Sequence, residues 1–279
     1  MEEYQTMSCK IIAEIGINHN GSIEIAKNLI DVATIAGCDY VKFQKRDLEL
    51  CIPEKQKNVL RKTPWGEMKY IDYKKKIEFE KDEYDILSEY CKKKGIGMFF
   101  SVWDLNSLDF SKNYCDLIKV PSAHLTNTNL LSASRKKSDT LMISTGMATE
   151  AEVQNAIDES KPDIIMHTNS AYPSKIEELN LNYIHRLIRN NNNIEVGYSG
   201  HEYGLVTTFA AVAMGAKWIE RHITLDRTLW GSDQLASIEP IGLLKLVKGI
   251  KDIEKSFGSD GPRIMTETEN EKRGTLSHK

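Results

Sequence analysis

Five of the seven histidines in this 279-residue chain are the side chains best placed to do chemistry. His19, His124, His167, His201 and His222 each fall at, or within a few residues of, the C-terminal end of a short β-branched run. His185 lies in a helical run and His278 in the C-terminal tail. His201 and His222, on two consecutive runs, suit a divalent metal whose remaining positions stay open to water and substrate. Lys42 and Lys119, with Ser122, Ser144 and Ser170 at other run ends, offer ammonium charges and hydroxyl donors for a small polyanion carrying phosphate and carboxylate. Two histidines alone are a sparse ligand set, and each serine singly also fits an ordinary cap or turn.

The elements that must position these groups are readable from periodicity. Strand-like runs occupy 10–15, 40–44, 97–102, 117–120, 140–144, 164–167, 195–199 and 218–222. Amphipathic helical runs occupy 23–36, 81–94, 105–113, 128–134, 150–160, 183–189, 205–214 and 240–257. Strands alternating with helices form a parallel sheet covered by helices, and eight such units predict one closed (β/α)₈ TIM barrel over residues 1–258. Gly37, Gly95 and Gly215 sit where left-handed C-terminal caps belong. Residues 259–279 read as a polar tail or the start of a linker. Two βα connections, 44–81 and 223–239, are too long for simple turns and leave from the face where barrel enzymes place their chemistry.

Side-chain parity adds a second constraint. Alternate strand residues share a side, so Lys42 goes with Gln44, Ser199 with His201, and Glu220 with His222. A barrel interior that turns polar toward one end lines a site, or else fills the core with ion pairs.

Composition narrows the function classes. With 37 Lys+Arg against 40 Asp+Glu the formal charge is −3, and no basic stripe marks a nucleic-acid surface. No uninterrupted apolar stretch is long enough for a membrane span, and the N-terminus lacks a signal-peptide pattern, so a cytoplasmic protein is expected. The five cysteines show no CxxC spacing and are expected to be reduced, buried thiols.

Several strings are familiar. Ala13-Glu14-Ile15-Gly16-Ile17-Asn18-His19-Asn20-Gly21, Val41-Lys42-Phe43-Gln44 and Ile143-Ser144-Thr145-Gly146-Met147 come first. Ser170-Ala171-Tyr172-Pro173, Gly197-Tyr198-Ser199-Gly200-His201-Glu202, Glu220-Arg221-His222-Ile223-Thr224-Leu225-Asp226, Gly231-Ser232-Asp233 and Ala236-Ser237-Ile238-Glu239-Pro240 follow in order. Together they resemble the N-acetylneuraminate (sialic acid) synthase family, over about residues 11–240.

The resemblance implies a (β/α)₈ enzyme that condenses phosphoenolpyruvate with the open-chain aldehyde of an N-acetylhexosamine, such as N-acetylmannosamine. Its products are phosphate and a nine-carbon 2-keto-3-deoxy sugar acid, of the sialic, legionaminic or pseudaminic type. It implies Mn²⁺ or Mg²⁺ on His201 and His222. Lys42, Lys119, Ser122, Ser144, Ser170 and Ser199 would hold phosphoenolpyruvate, and Gln44, Tyr172 and Asp233 the acceptor sugar. Glu14 would orient water or manage protons, its other reading being a salt bridge to Lys42.

Two departures stand out. Where the family commonly carries an acidic residue in KxGSGE or KxGSGD, this chain reads Lys119-Val120-Pro121-Ser122-Ala123-His124, so His124 is expected as a working imidazole in its place. Members also usually continue into an antifreeze-like domain that reaches across a homodimer, and the sequence stops at the start of that linker. A Schiff-base aldolase using Lys119 or Lys42, and a catalytically silent barrel subunit, are the rival readings.

Overall fold

The computed structural model describes residues 8–277. In chain order the elements are β1 (Lys10–Gly16), α1 (Ile23–Ala36), β2 (Tyr40–Lys45), α2 (Leu48–Cys51), α3 (Glu54–Lys57), β3 (Leu60–Thr63), β4 (Gly66–Lys69), α4 (Tyr70–Ile77) and α5 (Lys81–Lys94). Then come β5 (Gly97–Val102), α6 (Leu105–Ser111), β6 (Leu117–Val120), α7 (Thr128–Lys137), β7 (Thr140–Ser144), α8 (Glu150–Ser160) and β8 (Ile164–Thr168). The chain continues through α9 (Asn182–Asn190), β9 (Glu195–Gly200), α10 (Val206–Ala213), β10 (Trp218–His222), α11 (Pro240–Ser256) and α12 (Glu267–Leu276). Eight strands close in the order β1-β10-β9-β8-β7-β6-β5-β2, every pairing parallel. The expected TIM barrel is therefore present, each barrel strand lying within one residue of its predicted bounds.

Local chemistry cuts the elements where the sequence says it should. Ser22 caps α1 by accepting from the Ile25 N–H, and Gly37 ends it in the left-handed conformation. Thr149 and Glu152 form a reciprocal capping box at the start of α8. The outward faces of the strands, with residues such as Ala13, Val41, Phe43, Phe100, Ile143 and Ile219, pack against the helix ring in one continuous apolar core.

Inside the barrel the polarity changes along each strand. Ile12, Phe99, Met142, Ile164, Met166 and Trp218 fill the lower interior as a separate apolar cluster. Gly197 belongs to that layer because a Cβ there would lie 2.4 Å from the Met166 sulfur and 2.7 Å from Trp218 Cβ. Two residues further along, at the same parity, stand Glu14, Ser101, Ser144, Thr168, Ser199 and Glu220, all buried. The apolar layer floors a polar chamber at the C-terminal end of the barrel.

The two long connections are ordered. After β2 the chain makes α2 and α3, a β3–β4 hairpin and α4, anchored by a small cluster of Ile17, Tyr73 and Ile77. The 223–239 loop is tied to the first βα turn, where Asn18 Nδ2 donates to the Ile223 carbonyl and to Ser237 Oγ, both at 2.8 Å. The expected polar tail contains α12, a helix opened by a Thr266–Glu269 capping box, with no buried residue. Three cysteines, Cys9, Cys38 and Cys91, are buried free thiols, whereas Cys51 and Cys115 are only half-buried, which corrects the expectation of uniform burial. Among the described residues no helix is long and apolar enough to cross a membrane.

Candidate active site

A cavity of about 220 Å³ opens at the C-terminal end of the barrel, lined by Glu14, Lys42, Gln44, Lys119, Ser122, Ser144, Ser170, Tyr172, Ser199, His201 and His222. Eleven of the thirteen residues given a site role from sequence thus share one chamber. Asp233 and His124 lie outside the lining.

The floor is a charge-balanced quartet. Lys42 Nζ sits 2.8 Å from Glu14 Oε2 and 3.6 Å from Glu220 Oε1, while Lys119 Nζ sits 2.8 Å from that same Glu220 oxygen. The ion pair expected between Glu14 and Lys42 is present, and the paired residues Glu14, Lys42, Lys119 and Glu220 also line the cavity. Burial alone would raise the Glu220 carboxyl, yet Lys119 and Lys42 pull it down to about 2. Burial would likewise lower Lys42, but Glu14 and Glu220 hold it above the usual lysine value. Lys119 goes the other way, drawn down by burial and by the Lys42 ammonium against the pull of Glu220.

Two buried donors lining this cavity have no protein acceptor: Ser144 Oγ and Trp103 Nε1. An unpaired buried donor costs roughly 1–3 kcal/mol, so these groups mark where an acceptor-rich ligand belongs. Ser199 Oγ donates to Glu220 at 3.2 Å, and Ser122 Oγ accepts from the Gly146 N–H at 3.1 Å. Gly146 has to be glycine here, because a Cβ would fall 2.1 Å from Ser170 Oγ and 2.8 Å from Ser122 Oγ.

On the opposite wall His201 and His222 face each other with ring centroids 5.3 Å apart. His201 Nδ1 lies 2.7 Å from the Asn169 carbonyl, which fixes its N–H there and leaves the Nε2 lone pair free. Burial, then the neighbouring His222, holds His201 at about 3, so the ring is neutral. Tyr172 stacks on it at 4.1 Å. His222 Nδ1 has no hydrogen-bond partner, and Asp233 Oδ2 stands 3.7 Å from it. Burial would raise Asp233, but His222, Ser232, Arg46 and Lys74 keep it below its usual range. Among the described residues no third His, Cys, Asp or Glu completes a metal cluster. Two imidazoles with otherwise open positions fit a catalytic rather than a structural cation.

The remaining histidines divide. His124 packs edge-on against Trp103 at 5.2 Å, behind the indole that lines the cavity. His167 points outward, its Nε2 2.8 Å from the Leu179 carbonyl and its ring against Tyr183. His19 is stacked on Phe79 at 4.0 Å, beneath the connection that follows β2. Proximity to a strand end located all three, but strand parity and loop packing turn them away.

Sequence reasoning placed Glu220 on the inward face without giving it a role, and it missed Ser101 of the lining and Arg46 beside it. Parity with His222 carries the signal for Glu220. Ser101 accepts from Lys42 Nζ at 2.6 Å and is likewise in phase with the inward face of β5. Arg46 gives no sequence signal, since it lies one residue past β2 and reaches Gln44 Oε1 only because it stacks on Trp103 at 4.3 Å.

Comparison with known proteins gives the family. The family described as the NeuB family matches residues 29–261. The human N-acetylneuraminate-9-phosphate synthase is 37% identical over 264 residues, covering 92% of this chain and 73% of its own. The N,N'-diacetyllegionaminic acid synthase of Legionella pneumophila is 35% identical, covering 91% and 74%. A crystal structure of the N-acetylneuraminic acid synthetase from Leptospira borgpetersenii, in complex with citrate, superposes with a TM-score of 0.84 at 32% identity, covering 98% of this chain and 93% of that one. The chain belongs to the NeuB family, the sialic-acid-type synthases.

Proposed function

We propose that this barrel condenses phosphoenolpyruvate with the aldehyde of an N-acetylhexosamine to give a nine-carbon 2-keto-3-deoxy sugar acid and phosphate. The observation that carries the reading is the meeting, in one buried chamber, of Lys42 and Lys119, hydroxyls from four strand ends, unpaired donors, and the imidazoles of His201 and His222 on the facing wall. Relatives named for sialic-type and legionaminic-type products support the same reaction class.

In this reading Lys42 and Lys119 hold the phosphate and carboxylate, with Ser122, Ser144, Ser170 and Ser199 orienting them by hydrogen bonds. Gln44 Nε2 donates to Glu14 Oε1 at 3.1 Å and Gln44 Oε1 accepts from Arg46, so a sugar hydroxyl arriving at Gln44 meets a fixed donor–acceptor pair. Glu14, 2.8 Å from Lys42, is the carboxylate beside the reacting carbons and would orient the water that adds at C2 of phosphoenolpyruvate. Tyr172, stacked on His201, closes the acceptor side.

The four buried charges of the floor cancel, so the cavity's own side chains supply no net positive charge against a doubly anionic substrate. His201 and His222 would hold a divalent cation, Mn²⁺ or Mg²⁺, which when bound supplies positive charge and Lewis-acid polarisation of the aldehyde oxygen. Release of phosphate from phosphoenolpyruvate that requires both an aminosugar and a divalent metal tests the reading. Release without the aminosugar would contradict it.

A further inference from the structure

β9 and β10 carry the two imidazoles, yet the register between these strands ends one step before them. The last paired residues are Gly200 and Arg221, and His201 and His222 follow directly on each strand. Each histidine is tied to its outer neighbour. The His201 carbonyl accepts from the Ser174 N–H at 3.1 Å and its Nδ1 lies on Asn169, while His222 pairs with Glu14 on β1. What spans the gap between them lies behind the wall. Strand neighbours face opposite sides, so Glu202, directly after His201, and Arg221, directly before His222, turn away from the chamber and meet Thr207 and Thr208 of α10.

Glu202 and Arg221 are both buried and paired, Arg221 Nη1 standing 3.1 Å from Glu202 Oε1. The carboxylate also accepts from the Tyr198 hydroxyl at 2.9 Å and from Thr207 Oγ1 at 2.6 Å, which fixes it against β9 and the first turn of α10. The guanidinium reaches further. Nη1 donates to the Gly204 carbonyl at 3.0 Å and to Thr208 Oγ1 at 2.7 Å, and Nη2 donates to the Glu202 carbonyl at 2.5 Å. Among the described residues every side-chain hydrogen bond from β10 to the 201–204 segment comes from this one guanidinium. A buried ion pair adds little net stability, since apolar residues of similar volume often do as well or better. Fixing two backbone segments in one geometry is what a rigid, forked guanidinium does and an apolar pair does not.

Resting on the synthase reading above, we propose that Glu202 and Arg221 are positioning residues for the cation: they lock the backbone that follows His201 to β10 from behind, and so hold the two imidazoles facing each other with ring centroids 5.3 Å apart. Neither residue lines the chamber. Among the described residues no third His, Cys, Asp or Glu completes the ligand set, so a shift of either ring has no other side chain to compensate for it. The pair therefore governs cation affinity through geometry, without contact with the ion.

Three measurements on the full chain test it: Mn²⁺ affinity of the metal-depleted protein by electron paramagnetic resonance, stability in urea, and the long-range ¹H–¹⁵N spectrum of the imidazoles without metal. Glu202→Leu/Arg221→Met replaces the pair by apolar side chains. Its urea midpoint should stay near or above that of wild type, while Mn²⁺ binds about ten- to hundredfold more weakly and the His201 and His222 signals move. Arg221→Lys keeps the charge and loses the fork, so its affinity should fall between the two, and it decides the matter where the double variant does not fold. Wild-type Mn²⁺ affinity with unmoved imidazole signals overturns the inference. So does an affinity that falls only together with the urea midpoint, which would make the pair a structural element. If wild type itself takes up no Mn²⁺, the cation reading of the chamber fails, and the imidazole signals alone decide whether the pair holds the rings.

Discussion

Glu220 Oε1 accepts from Lys119 Nζ at 2.8 Å while lying 3.6 Å from Lys42 Nζ, so one carboxylate oxygen on β10 is shared by two ammonium groups, one from β6 across the barrel and one from β2, next but one to β10. The arrangement gives each lysine two tasks, balancing the buried carboxylates and facing the substrate anion, and the two can be separated by mutation.

Lys119→Met should raise KM for phosphoenolpyruvate about ten- to hundredfold and also destabilise the protein by about 3–5 kcal/mol, because Glu220 is left buried and under-compensated. Adding Glu220→Gln should recover most of that stability without restoring phosphoenolpyruvate affinity, since Lys42 keeps Glu14 at 2.8 Å. Steady-state kinetics paired with urea denaturation reads both effects. Recovery of affinity in the double variant would show that Lys119 acts only as a structural counter-ion.

His201→Ala and His222→Ala should each lower turnover more than about a hundredfold and weaken binding of Mn²⁺, with the far-UV circular dichroism spectrum unchanged. Titration of the apo protein with Mn²⁺ followed by electron paramagnetic resonance gives the binding arm without reference to activity. Undiminished Mn²⁺ affinity in both variants would move the cation elsewhere.

Gly146→Ala is a probe of the hydroxyl cradle. Its Cβ would fall 2.1 Å from Ser170 Oγ, so Ser170 and Ser122 must part. The substitution should raise KM for phosphoenolpyruvate at least about tenfold, and overpacking should cost roughly 1–3 kcal/mol of stability. An unaltered KM would remove those two serines from the anion site.

The barrel was legible because each strand carries its own punctuation and an apolar outer face. The chamber was legible because inward polarity begins at the same height on β1, β2, β6, β7, β9 and β10, as Glu14, Lys42, Lys119, Ser144, Ser199 and Glu220 show. What stayed hidden depends on packing over distance in sequence. His124 follows β6 closely, yet its ring is turned behind Trp103, a contact no local pattern announces. Nor does spacing reveal that Lys74, in a helix with the run Lys74-Lys75-Lys76, is buried whereas Lys75 and Lys76 are exposed; the fold of the 46–80 connection decides that.

His19 makes the stability of the protein depend on pH. Burial against Phe79 lowers it to about 3 from an ordinary value of 6.5. Between those values the unfolded chain binds a proton that the folded one does not, so the contribution is full above pH 6.5 and falls as pH drops toward 3. Its slope is up to about 1.4 kcal/mol per pH unit. Urea denaturation from pH 7 to 5 should therefore show a shallower decline in His19→Gln than in wild type. Identical slopes would mean that His19 is protonated within the fold.

The most direct test of the central claim is phosphate release from phosphoenolpyruvate, measured with metal-depleted protein to which Mn²⁺ and an N-acetylhexosamine, free or 6-phosphorylated, are added separately and together. The geometry of the chamber predicts release only when both are present, with one nine-carbon keto acid formed per phosphate. Release in EDTA, or release with Mn²⁺ but no sugar, would contradict it.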